Sequence, residues 1–369
     1  MVFNYQYITL MLFLFFLFLI DVKQKEKMNY IHTLPKIICV IAYICFWGMR
    51  GFIGTDYSWY YPYFNNLSDR LLYAFDDIER IEPGYVIYTY IFKQIWDNYY
   101  AFIFFSTCLN VAFMHVLFKN LLKRYYIFGY IVFIAFCANA EFNNLRNIRA
   151  ILLFFISIES IIKKDWKSFL ALNLLGMSFH STAIFYLPFY FIINRNWKRI
   201  ILPLIFIGFI FVILKLNVFT KLILFTGQML GGVYEASAVL FTDNNEDVGF
   251  TLGAIMRLLL GFFLWLSYDR IKEPLYRIYI NLAVCYLFCF AFFNEIPVFR
   301  LRFSLMFAFS LCIILPYVYI IIQKKYRRFF LLFAFLSCMS QALVNFQGDL
   351  FRYDNLLFGI ESYERRLNK

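Results

Sequence analysis

The stretch "KIICVIAYICFWGMRGFIGTDYSWYY" (36–61) decides how the rest of the chain is read. It is apolar from Ile37 to Met49, stops at Arg50, turns through Gly51 and Gly54, and runs onto Asp56, Trp59 and three tyrosines. One reading is punctuation, since charges and glycines end membrane spans. The other is that Arg50 and Asp56 are first parts of a working site. Working outward, apolar stretches of this kind recur along all 369 residues, of which 63% are hydrophobic and 16% charged. No soluble chain of this length hides so much apolar surface, and several stretches approach the ~20 residues needed to cross a bilayer. The sequence therefore reads as an all-α polytopic integral membrane protein. It forms a single membrane domain over 1–369 with about 11–12 transmembrane or re-entrant helices.

The spans expected are 5–20, 36–53, 99–118, 125–140, 148–162, 168–179, 181–193, 199–217, 250–268, 278–294, 301–321 and 329–344. Basic clusters lie between them: "KQKEK" (23–27), "KNLLKR" (119–124), "KKDWK" (163–167), "NRNWKR" (194–199), "DRIKEPLYR" (269–277) and "QKKYRR" (323–328). The positive-inside tendency puts all six on the cytoplasmic side, so the net charge of +12 is a matter of orientation and not of nucleic-acid binding. The N-terminal run has its first lysine at Lys23, after the apolar residues, and reads as a retained span with its N-terminus outside. The eight cysteines all fall inside apolar stretches without a CxxC pair, which makes them packing residues rather than disulfide or zinc ligands. Residues 168–193 are too few for two full spans, so they form a pair of short helices or a re-entrant hairpin with His180 near its apex. Two segments on the outer side are long, 54–98 and 218–249. No internal repeat is visible.

Outside the six clusters, the charges gather on one side. They are Arg50 and Asp56, Glu82 in "IEPGY", and Glu141, Arg146 and Arg149 in "EFNNLRNIRA". Arg257 in "FTLGAIMRLLLG" and Glu295, Arg300 and Arg302 in "FNEIPVFRLRFS" complete the set. Helix-end charges that snorkel to water explain any one of them. They do not explain why these positions are Arg and never Lys. Arg matches phosphate oxygens with a planar fork, and a charge within a span costs roughly 2.5–3.5 kcal/mol. Converging arginines thus point to a phosphate-bearing ligand, to buried pairs with Asp56, Glu82 and Glu141, or to both. His32 and His115 are incidental. His180, at a cavity apex, is placed to accept a proton. No metal site is expected, because no second His or Cys has suitable spacing on the outer face.

Four segments, "RGFIGTDYSWYYPYF", "IEPGYVIY", "LRNIRAILLF" and "GMSFHSTAIFYLPF", occur in this order and resemble the EpsG-like, Wzy-type polysaccharide polymerases. "VFRLRFSLMF" looks like that family's late Arg-containing helix, registered on Arg300 or on Arg302. The chain departs from the pattern at Asn147, where a Gln is usual, and at Thr182, which follows Ser181 where Ala often does. The resemblance covers about residues 50–310. It implies a membrane glycosyltransferase-like enzyme at the periplasmic face of the bacterial inner membrane. Such an enzyme joins undecaprenyl-diphosphate-linked repeat units into O-antigen, capsule or exopolysaccharide and releases undecaprenyl diphosphate. In such a protein Arg50, Arg146, Arg149, Arg257, Arg300 and Arg302 bind the diphosphate, and Asp56, Glu82 or His180 is the base. The tyrosines after Asp56 and Trp59 offer flat faces to sugar rings. No cofactor is needed, and the partners are the lipid-linked glycans, the bilayer and a chain-length regulator. A lipid-linked oligosaccharide flippase, an O-antigen ligase and an acyltransferase remain open as alternatives.

Overall fold

The computed structural model describes residues 4–23, 29–76, 81–214, 218–242 and 251–367, and among these there is no β-strand. The chain is a multi-pass membrane protein. Five helices are long and apolar enough to cross a membrane, or six if a bent pair counts as one span. Every one of the twelve expected segments carries helix, but several helices are short. At ~1.5 Å per residue a 16-residue helix reaches only about 24 Å, less than the ~30 Å hydrocarbon core. The basic cluster at 23–27 after Lys23 and the acidic turn at 243–247 lie outside the described residues.

The chain divides into two compact units, each with its own core. The first comprises Met1–Ile192 and Leu332–Lys369, the second Ile193–Leu331.

In the first unit, α1 (Tyr5–Lys23) and α2 (Asn29–Gly48) are followed by the segment 54–98, which is itself helical: α3 (Tyr57–Asn66), α4 (Leu71–Asp76) and α5 (Pro83–Ile95). Then come α6 (Tyr99–Leu121), α7 (Tyr126–Phe136), α8 (Asn139–Phe142), α9 (Asn147–Lys163), α10 (Trp166–Phe179), a 3-10 turn over Ser181–Tyr186, and α11 (Phe189–Ile192). α7 is apolar on all sides and buried along nearly its whole length, as a central helix must be. α9 and α10 form a tight antiparallel hairpin. Lys164 closes α9 in the left-handed conformation (φ 56°), and Asp165 caps α10 by accepting from the Ser168 amide at 3.1 Å. Asn173 on α10 donates to Ser157 on α9 at 3.0 Å, a polar tie of the kind that holds helices together in lipid. α10 ends at His180, so the break in 168–193 falls at the expected apex.

The second unit holds α12 (Lys198–Leu214), α13 (Val218–Leu230), α14 (Gly232–Thr242), α15 (Leu252–Ser267), α16 (Pro274–Phe292) and α17 (Pro297–Ile321). α16 and α17 pack along their lengths, pinned by the stacked rings of Tyr276 and Tyr317 (3.6 Å). The segment 218–242 is helical rather than an open loop. Last in the chain, α18 (Arg327–Asn345) is followed by α19 (Tyr363–Leu367). All eight cysteines are free.

Candidate active site

In the first unit, three motifs far apart in sequence meet at Glu82. Pro83 is the first residue of α5, where its missing N–H costs nothing. A residue before proline is held extended, and Glu82 is so held (ψ 138°). Its carboxylate makes no cap hydrogen bond to its own helix. It reaches across instead. Oε2 lies 2.6 Å from Nη1 of Arg146, at the N-terminus of α9, and Oε1 accepts the Ser181 amide at 2.9 Å. Gly84 makes the reach possible: a Cβ there would stand 2.3 Å from Ser178 Oγ and 2.8 Å from the Ser178 carbonyl oxygen. Only a glycine lets α5 lie that close to the end of α10.

His180 stands in the turn between α10 and Ser181, with its amide bonded to the Gly176 carbonyl at 2.9 Å. Its Nδ1 accepts the Thr182 amide at 3.2 Å and lies 3.7 Å from Glu82 Oε1, beyond hydrogen-bond reach. A backbone amide can only donate, so Nδ1 holds the lone pair and Nε2 holds the proton. Thr182 Oγ1 in turn donates to Oδ1 of the buried Asn147 at 3.1 Å. The two departures from the family pattern therefore touch one another. Burial raises the Glu82 pKa, but the Ser181 amide and Arg146 outweigh it, and the carboxyl sits below its ordinary value of 4.5.

α3 covers this cluster. The Trp59 ring lies 5.3 Å from the Arg146 guanidinium, and the buried Tyr60 interacts electrostatically with Arg146. Asp56 opens α3. Its carboxylate accepts from Thr55 Oγ1 at 3.1 Å, and its amide donates to Asn143 Oδ1 at 3.3 Å. Gly54 is fixed there twice over: φ is +79°, and a Cβ would stand 2.0 Å from Asn143 Oδ1.

Arg50 points inward. It is 5% exposed and donates to the carbonyls of Trp47 and Glu141, the latter at 2.6 Å. The fully buried Glu141 carboxylate accepts from Asn110 at 3.3 Å. Arg149 is also fully buried, among aromatic rings.

In the second unit, Arg257 donates through Nε to the Tyr286 hydroxyl at 2.9 Å and lies 3.7 Å from the centre of the Phe290 ring. Arg300 lies 5.4 Å from the same ring and donates to Asn294 Oδ1 at 3.1 Å. Arg302 is exposed. Of the two registers for the late motif, it is Arg300 that shares a ring with Arg257. Glu295 accepts the Thr220 amide at 2.6 Å.

Sequence reasoning missed one part of the first unit. Beyond α18, the chain returns to the stretch 49–54: Gly51 donates to the Asp354 carbonyl at 2.9 Å, Leu356 to the Met49 carbonyl at 2.8 Å, and Gly54 to the Leu350 carbonyl at 2.8 Å. Tyr363 then stacks on Tyr61 at 4.7 Å, and the Tyr57 hydroxyl donates to the Arg366 carbonyl at 3.1 Å. Irregular backbone pairing of this kind has no periodicity to betray it.

Comparison with protein families matches residues 33–356 to the model described as the EpsG family. No curated protein and no solved structure matches the chain.

Proposed function

The chain belongs to the EpsG family, which carries a polysaccharide polymerase-like role, and from that premise we propose that it joins lipid-diphosphate-linked oligosaccharide units into a longer glycan. The work is done at the periplasmic face of the bacterial inner membrane, on units carried by undecaprenyl diphosphate. The observation that carries this reading is the meeting of Glu82, Arg146 and the His180–Ser181 turn at one partly exposed point.

In the proposed reaction, a hydroxyl at the non-reducing end of one unit attacks the anomeric carbon of the chain on its lipid. A new C–O bond forms, the bond from that carbon to the phosphate oxygen breaks, and lipid diphosphate leaves with the electron pair. Arg146 faces the developing negative charge, and Glu82 holds its guanidinium in place. His180 presents Nε2–H as a donor to a diphosphate oxygen, because its Nδ1 lone pair is already taken. Glu82 is a poor base with both oxygens engaged and its pKa depressed, which leaves Asp56 to take the hydroxyl proton. Trp59, 41% exposed beside Arg146, offers a face to a sugar ring. In the second unit, Arg257 and Arg300 form an arginine pair of their own, also suited to phosphate.

Purified protein reconstituted with a defined lipid-linked repeat unit tests this, with product length and linkage as the readout. Wild type should make long chains. Arg146→Ala should stay inserted and folded, lose on the order of 10²–10³-fold in rate, and leave single units on the lipid. Arg146→Lys should recover little, since a point charge does not replace the planar fork. Normal chain lengths from Arg146→Ala would remove the basis of the proposal.

A further inference from the structure

Arg149 has no part in the reaction above, and its surroundings are unusual for a charge. The side chain is 0% exposed; among the described residues no carboxylate lies in ion-pair contact with it, and the buried Glu141 acts on it only at longer range. Nη1 donates to the Leu145 carbonyl at 3.1 Å, while Nε and Nη2 donate to nothing. What surrounds the guanidinium is aromatic: the ring centre of Tyr88 lies 4.3 Å from it, that of Phe179 5.7 Å and that of Tyr85 5.9 Å. A buried charge without a carboxylate in contact is costly, and ring faces are a compensating partner for a desolvated cation.

The placement of those rings in the chain is informative. Tyr85 and Tyr88 lie on the first two turns of α5, directly after Glu82. Phe179 ends α10 and precedes His180. Arg149 itself lies one turn after Arg146 on α9. Arg149, carried on α9, is thus gripped by rings from α5 and α10, and its contacts join the three elements that deliver Glu82, Arg146 and His180.

We propose that Arg149 is a positioning residue: a cation–aromatic clamp that sets the spacing of α5, α9 and the end of α10, and so holds Glu82 between Arg146 and the Ser181 amide. It touches neither the diphosphate nor the sugar. A guanidinium suits the role because its flat face stacks on rings, which an ammonium cannot reproduce. The clamp rests on the polymerase reading only for its activity readout.

The test uses full-length protein in phospholipid nanodiscs, with Arg149→Met, Tyr88→Leu, Tyr88→Phe and the Arg149→Met/Tyr88→Leu double variant. Thermal midpoints are measured on all four, and kcat and KM are measured on the lipid-linked unit. Arg149→Met and Tyr88→Leu should each lower kcat by about tenfold or more, with KM within about threefold of wild type. The double variant should be no worse than either single one, the sign of a shared contact. Tyr88→Phe keeps the ring and should stay near wild type, although it loses the 2.9 Å bond to Ser106. Three results would each overturn the clamp: additive losses in the double variant, Tyr88→Phe as damaging as Tyr88→Leu, or a rise in KM with kcat unchanged. If Arg149→Met does not fold, the two Tyr88 variants decide alone, by the same criteria. If wild type forms no polymer, the polymerase reading falls instead. The thermal midpoints then judge the clamp: coupled losses support it and additive ones reject it.

Discussion

Glu82 shows how one protonation event controls a whole constellation. The carboxyl binds a guanidinium and a backbone amide only while ionised, and its folded-state pKa lies below the ordinary 4.5. The stabilisation is therefore fully present above the ordinary value and disappears as pH falls through the lower, folded one. Thermal midpoints of wild type and Glu82→Gln should differ most near neutral pH and converge in acid, as pH falls from 4.5 through the lower folded value. A gap that stays constant across that range would mean the carboxylate contributes nothing through its charge. Asp56 has a different test. If it takes the acceptor's proton, Asp56→Asn should fold normally and lose activity. If activity survives in Asp56→Asn while Asp56→Ala unfolds, its role is to hold Thr55 and the start of α3. The residue types at this site were legible in the sequence, because Arg without Lys at helix ends is a chemical signal. Their division of labour was not. Arg50 and Arg149 look the same in one dimension as Arg146, yet both are enclosed by the fold while Arg146 is partly open.

At the scale of elements, the site depends on how closely α5 approaches the end of α10. A methyl group at Gly84 would collide with the backbone oxygen of Ser178, so the two helices must part. Gly84→Ala should cost about 1–3 kcal/mol in stability. It should also weaken the 2.9 Å contact between Glu82 and the Ser181 amide, lowering activity more than the stability loss alone explains. Measuring activity at a temperature well below the variant's midpoint separates the two effects. Pro83 and Gly84 were visible in "IEPGY", but a sequence shows only that a turn or helix start lies there. Ser178, which makes glycine necessary, is nearly a hundred positions away. The short helices on either side of His180 were likewise deduced from the number of residues between two basic clusters, whereas the Thr182–Asn147 bond that holds the turn came from packing alone.

The whole first unit is closed by its C-terminal segment. Residues 348–366 pair with the backbone of 49–54 and cover Phe52, Tyr57 and Tyr61 with Tyr363. Ending the chain after Gln347 should lower the thermal midpoint by roughly 5 °C or more and raise amide exchange over 49–66. Unchanged exchange there would show that the segment merely rests on the surface. Within each unit the arginines form separate arrangements, Arg146 with Glu82 in the first and Arg257 with Arg300 around Phe290 in the second.

The sequence by itself determined that this is an all-helical membrane protein, since apolar runs in lipid can satisfy their backbone only within a helix. It also determined the family, through short ordered motifs, and the set of residues from which a site must be drawn. The tertiary structure alone decided which arginines are enclosed and which reach a carboxylate, and which nitrogen of His180 accepts the Thr182 amide. It also decided that "RGFIGT" is clasped by a distant tail. The physical reason is common to all four. Hydrophobic period and charge type are local properties written along one chain, whereas burial, hydrogen-bond direction and close approach belong to pairs of residues brought together only by folding.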